Sequence, residues 1–287
     1  MTTAQKPEPS ILQLWMLVLP TGWAFVTPLN PPARLVAISL SVFVIVKFLA
    51  ERQFLKTSAT RPSWPVRIAW YLLWAGLDSK AFFGRRQATD VAIGEWLFAG
   101  LKMLFGIGLL FGVAPRCLKW HDLTAGWVAM IGLIFALHFG LFHLAALAWK
   151  RSGRNVEPIM QAPILSTSLN EFWGRRWNVA FRDFAHEFVF RPLVRRRNGQ
   201  LAESGCFVFS GLIHELAISL AAGAGFGLPF TYFLAQGFGV WLERRLPFLK
   251  RHRISGWCFT AVFTIPGAYW LFHPMFVRRL ILPLIGG

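Results

Sequence analysis

Residues 205–227 read GCFVFSGLIHELAISLAAGAGFG, and the reading of this stretch decides the fold. It is long enough to cross about 30 Å of hydrocarbon as an α-helix, which takes roughly 17 to 25 residues. Near its middle stand His214 and Glu215, with Ser210 one helical turn earlier. At membrane depth an ionisable side chain is costly and survives by facing the bundle interior or a polar cavity, so this polar notch is a candidate site by default. An imidazole held neutral in such a place suits a general base acting on a hydroxyl group. Ser210 also has a plainer use, because a serine in an apolar helix commonly bonds back to its own backbone.

Outward from this span, similar apolar stretches cover residues 11–28, 34–50, 92–114, 124–149, 228–243 and 254–272. Residues 65–77 and 275–285 are apolar but short, as expected of segments that are interfacial, re-entrant or buried against other helices. The chain is 55% hydrophobic and 15% charged, against about 45 to 50% and about 25% in a soluble domain. The expected fold is therefore all-α: a polytopic integral membrane bundle of about 7 to 9 spans with interfacial amphipathic helices. No repeat, linker or low-complexity tract divides residues 1–287, which predicts a single membrane domain. Residues 11–28 lack a small-x-small cleavage site and read as a first span rather than a removed leader.

Thirty Lys and Arg face thirteen Asp and Glu, a net charge of +17. In a soluble chain that would suggest nucleic acid, but no basic stripe with interleaved stacking aromatics is present. Most of the basic residues fall in segments 51–91, 150–204 and 244–253. These alternate correctly with the spans, so the positive-inside rule assigns the basic loops to the cytoplasmic side of a multi-pass protein.

The long segment 150–204 is too extended for a mere connector. Within it, FWGRRWN at 172–178 places Trp173 and Trp177 four residues apart, with Arg175 and Arg176 between them. One reading is an aromatic interface belt with flanking cations. The other is a phosphate clamp, since guanidinium groups grip phosphoryl oxygens bidentately. The following NVAFRDFAHEFVF sets Ala180, Phe181, Phe184, Ala185 and Phe188 on one helical face and Arg182, Asp183, His186 and Glu187 on the other, which predicts a helix lying along the membrane surface.

Several other motifs fail on spacing. His214-Glu215 and His186-Glu187 begin like H-E-x-x-H, but Ile218 and Phe190 stand where the second histidine belongs, so neither is a zinc site. Cys117, Cys206 and Cys258 give no metal or disulfide spacing. Gly223, Gly225 and Gly227 follow an apolar helix rather than a strand and are no phosphate loop. His138 and His143 in the fourth span suit interhelical hydrogen bonds. No metal and no cofactor are expected.

The segment SLNEFWGRRWN at 168–178, followed by SGLIHEL at 210–216, resembles the wax synthase branch of the membrane-bound O-acyltransferases. YLLWAGLD, ending at Asp78, resembles more loosely that branch's Trp-Pro-Gly-Met-Asp segment, with Ala75 and Leu77 substituted. The resemblance implies a helical membrane enzyme that moves a fatty acyl group from acyl-CoA, as cosubstrate, to the hydroxyl of a lipophilic alcohol. It maps the family's intramembrane histidine onto His214 and its upstream polar residue onto Asn178 as the catalytic pair. Trp173, Arg175, Arg176, Trp177, Ser210, Glu215 and Asp78 become the expected substrate-binding residues, with 150–204 as the donor-binding segment. The implied partners are acyl-CoA, the alcohol acceptor and membrane lipids. Cys206 offers a covalent alternative through an acyl-thioester. Two other functions compete: a proton-coupled transporter using the intramembrane histidines and Glu215, and a lipid-binding relative that keeps the fold without the chemistry.

Overall fold

The computed structural model describes residues 11–17, 22–23, 27–59, 61–195 and 198–287. Their regular structure is helical, and the one β contact is an isolated bridge between Arg85 and Arg154. In chain order the main helices are α1 (Pro31–Thr57), α2 (Trp64–Leu72), α3 (Ser79–Phe83), α4 (Ile93–Cys117), α5 (Asp122–Arg151), α6 (Val179–Ala185), α7 (Gly199–Leu220), α8 (Leu228–Arg245) and α9 (Arg253–Thr264).

Among the described residues α1, α4, α5 and α7 are long and apolar enough to cross a bilayer, which makes this an all-α membrane protein. The other expected spans do not reach that length and apolarity among the described residues. α8 is long enough but turns Gln236 and Glu243 inward, where both are buried. α9 ends at Thr264, just ahead of Pro266, whose missing N–H interrupts a helix. At the N-terminus, Ile11–Leu17 forms a 3-10 helix, while residues 18–21 and 24–26 of the expected first span lie outside the described residues.

The short apolar segments are settled by their neighbours. In residues 277–285, Val277, Leu280, Ile281, Leu282 and Ile285 are buried, and a Cβ on Gly126 of α5 would collide with Val277. α2 buries Trp70 completely and leaves Trp64, Ile68 and Leu72 exposed, the two-sided pattern of an interfacial helix. It is held by two charged residues of α1. Fully buried Lys47 donates from Nζ to the carbonyls of Trp70 (2.8 Å) and Gly76 (2.7 Å), with the Trp70 ring 3.5 Å away. One turn on, the Glu51 carboxylate accepts from Arg67 Nε and from the Tyr71 hydroxyl. Replacing Lys47 by Ala leaves two carbonyls unpaired at about 1 to 3 kcal/mol each. The expected result is a clearly lower midpoint of thermal unfolding in detergent; an unchanged midpoint would mean that the carbonyls find other donors.

α6 departs from expectation. Its apolar face is real, with Ala180, Phe184, Ala185 and Phe188 buried. Protein rather than lipid covers it: Phe184 stacks on Phe188 at 4.5 Å and meets Phe209 of α7 at 6.2 Å. The cytoplasmic-type segment thus folds into the bundle, and that brings its polar residues to the histidine span.

Candidate functional site

His214 ends the regular part of α7, and from Glu215 to Leu220 the helix widens into a π-turn, a device that re-aims side chains near functional positions. Its Nδ1 lies 2.7 Å from the carbonyl oxygen of Ser210. A carbonyl can only accept, so Nδ1 carries the proton and the lone pair of the neutral ring is on Nε2. The imidazole packs against Phe233 of α8 at 4.4 Å between ring centres and edge-on to Phe181 at 6.3 Å. Ser210 donates from Oγ to the Cys206 carbonyl at 2.8 Å, the back-bond that its place in an apolar helix predicts.

His214 lines a cavity of about 540 Å³ that it shares with Asn178, Trp173, Trp177, Phe181 and Ser210. The two residues proposed from the sequence as a pair therefore face one chamber, although 36 positions of chain separate them. Asn178 is fixed by its backbone. It adopts the left-handed conformation (φ 42°), which asparagine tolerates better than most residues, and its Oδ1 caps α6 by accepting from Phe181 N at 3.3 Å. With Oδ1 engaged, the amide NH2 is the group left for a ligand. Trp173 donates from Nε1 to Gln236 Oε1 (3.1 Å), and Gln236 donates in turn to the Phe263 carbonyl (2.7 Å). Trp177 stacks on Phe172 at 5.4 Å. Both indoles are thus locked as cavity wall.

The two arginines of the block part company. Ser168 caps the helical turn carrying FWGRRWN by accepting from Glu171 N, and the Glu171 carboxylate reaches back to accept from Thr167 N, the residue before the cap. Arg176 is drawn into this frame, donating from Nε to Glu171 at 2.7 Å and from Nη1 to the Gln161 carbonyl at 3.0 Å. Burial raises the Glu171 carboxyl, but the N–H donors of Thr167 and Arg176 outweigh it and hold the group below the usual carboxylate range. Arg176→Ala is expected to cost about 1 to 2 kcal/mol, read as a lower thermal midpoint that Arg176→Lys does not fully restore. Arg175 stays exposed and lines a second cavity of about 330 Å³ with Asp78, Asn155 and Gln161.

Four sequence candidates lie outside the chamber. Glu215 does not line the histidine chamber; its Oε1 accepts from Phe230 N at 3.0 Å and caps the first turn of α8. Asp78 caps α3 by accepting from Ala81 N and faces the two smaller cavities, outside the His214 chamber. His138 and His143 are also away from it, with His143 Nδ1 2.8 Å from Lys102 Nζ.

Arg182 and Asp183 carry a role that the sequence reading missed. They line both the His214 chamber and the Arg175 cavity, so they form the partition between them. Arg182 donates to the Gly174 carbonyl at 2.6 Å and pairs with Asp183 at 2.5 Å. Burial raises the Asp183 carboxyl above its ordinary range; Asp78 adds to the rise and Arg182 opposes it. Helical periodicity could only mark them as the polar face of α6.

A family comparison falls on the same block. Residues 156–235 match the model of the membrane bound O-acyl transferase family. A probable long-chain-alcohol O-fatty-acyltransferase 7 of Arabidopsis thaliana is 32% identical over 143 residues, covering 44% of this chain and 42% of the relative. An acyl-CoA--sterol O-acyltransferase 1 from the same plant is 32% identical over 165 residues, 52% of this chain and 47% of its own length. The long-chain-alcohol O-fatty-acyltransferase of Simmondsia chinensis is 29% identical over 171 residues, 52% and 48% respectively. The chain matches about half the length of these relatives. Over residues 156–235, which carry most of the His214 chamber, this chain is similar to the membrane bound O-acyl transferase family, and its similar relatives include long-chain-alcohol O-fatty-acyltransferases.

Proposed function

We propose that the protein transfers a fatty acyl group from acyl-CoA to the hydroxyl of a lipophilic alcohol, a long-chain alcohol or a sterol, and releases free coenzyme A. One observation carries this reading: His214, with Nε2 free to accept a proton, and Asn178, with a free amide, line the same aromatic-walled chamber. An apolar chamber with a few convergent polar groups suits two greasy substrates that react at one polar point.

In the proposed reaction the alcohol oxygen attacks the thioester carbonyl while His214 Nε2 takes the hydroxyl proton. The Asn178 amide donates to the oxyanion that develops. The C–O bond forms, the C–S bond breaks, and the imidazolium returns its proton to the departing thiolate. Trp173 and Trp177 keep water from the thioester, which would otherwise be hydrolysed. The donor's phosphates meet Arg175 and the Arg182 partition from the adjoining cavity, on the side that carries the basic loops, read as cytoplasmic.

The reaction itself is tested by incubating vesicles that contain the protein with labelled palmitoyl-CoA and a panel of long-chain alcohols and sterols. Ester of the expected mass, formed with stoichiometric free thiol, supports the proposal. Palmitate alone, or no product with any acceptor, overturns it.

A further inference from the structure

At the end of the bundle opposite the basic loops, two arginines from distant parts of the chain reach the same point. The Nη1 atoms of Arg34 and Arg279 lie 3.6 and 3.5 Å from where a side chain on Gly223 would begin. Arg34 stands in the first turn of α1, Arg279 in the C-terminal turns, and Gly223 just past the end of α7. Gly223 has φ +63° and no side chain to occupy the space between the two guanidinium groups.

A structural role explains only part of this. Arg279 donates to the carbonyls of Ala222 (2.7 Å) and Gly223 (3.5 Å), as a cation at a helix C-terminus commonly does. That accounts for one guanidinium group. Among the described residues the Arg34 side chain donates to the Leu29 carbonyl at 3.1 Å, and its buried Nε has no partner. Among the described residues no carboxylate forms an ion pair with either arginine, whereas neighbouring Arg278 has one of its own, Asp122 at 2.6 Å. Two like charges brought together without a counterion repel; Arg34 is half-buried and Arg279 is exposed. A phosphate bridging both would remove it and use the planar donor forks bidentately.

We infer that Arg34, Arg279 and the open backbone at Gly223 form a binding site for a phosphoryl anion, supplied by the headgroup of an anionic glycerophospholipid. The helix ends where bilayer phosphates lie favour this source. The site is independent of the proposed acyl transfer and sits at the other end of α7 from its chamber.

The test is lipid retention. The full-length protein is taken from vesicles of mixed phosphatidylglycerol and phosphatidylcholine into mild detergent, and bound lipid is counted by native mass spectrometry. Wild type is expected to retain phosphatidylglycerol preferentially, and Arg34→Gln to lower that retention about tenfold, the value of one or two charge-assisted hydrogen bonds. Arg278→Gln is expected to leave it unchanged. Arg34→Gln is the decisive variant, because Arg279 also caps α7 and its replacement can disturb folding. Equal retention by wild type and Arg34→Gln overturns the site. Inorganic phosphate that raises the thermal midpoint of delipidated wild type but not of Arg34→Gln, with no lipid preference, overturns the lipid as its source.

Discussion

His214→Ala is expected to lower the rate of ester formation by about a hundredfold to ten-thousandfold, the contribution of a well-placed general base. Donor binding should persist, because the Arg175 cavity proposed for the donor phosphates lies beyond the Arg182–Asp183 partition and does not include His214. The loss should therefore appear in kcat more than in KM for acyl-CoA. The variant should also fold, since the Ser210 carbonyl gives up only a side-chain donor and the ring can be spared for the modest cost of a partly buried contact. Initial rates in vesicles and a thermal midpoint measured on the same preparation check both halves. Cys206→Ala supplies the contrast. Cys206 precedes His214 by about two helical turns, and its thiol donates toward the Ala185 carbonyl at 3.8 Å. Turnover by Cys206→Ala near the wild-type rate is expected for direct transfer, and its abolition would argue for a covalent acyl-enzyme.

The second large effect is expected at Asn178, where the choice of variant matters. Alanine would remove the cap on α6 and sit poorly at φ 42°, so a loss of activity could come from structure alone. Aspartate keeps an oxygen for Phe181 N and tolerates the left-handed backbone. It replaces the NH2 donor with a second oxygen and adds negative charge where the oxyanion would form. Asn178→Asp is therefore expected to fold like the wild type and to lose about a hundredfold to a thousandfold in kcat, as removal of an oxyanion donor does. Activity within a few-fold of wild type, with the thermal midpoint unchanged, would reduce Asn178 to a helix cap.

What the sequence revealed, and what it hid, follows from the range of the interactions. His214 stood out because a single polar residue in a span carries its own energetic argument, and the Ser210 back-bond lies within one turn. The capping residues Asn178 and Ser168 act over three positions, equally within reach of a local reading. Glu215 was harder: its partner, Phe230 N, is fifteen residues on, across the turn into α8. Arg176 looked like a free cation because its bond to Gln161 depends on how the preceding loop folds back. Arg182 and Asp183 read as a solvated face, since periodicity marks which residues are polar but not that two cavities meet behind them. Lys47 was hidden by the apolar stretch around it; only the placement of α2 shows why a charge is buried there. The count of spans was the least legible feature. Hydropathy alone does not show that α8 has two sides, one burying Gln236 and Glu243 and the other exposing Leu234, Phe238 and Trp241.

The central claim is that acceptor and donor meet in the chamber beside His214. It is tested most directly by photolabelling with a long-chain alcohol carrying a diazirine near its hydroxyl, followed by peptide mapping. The account predicts adducts on the chamber wall, at Phe181, Phe207 or Phe233, that unlabelled alcohol competes away and that are retained in His214→Ala. Adducts confined to the exposed faces of α4 and α5, with none that competitor removes from the chamber, would contradict it.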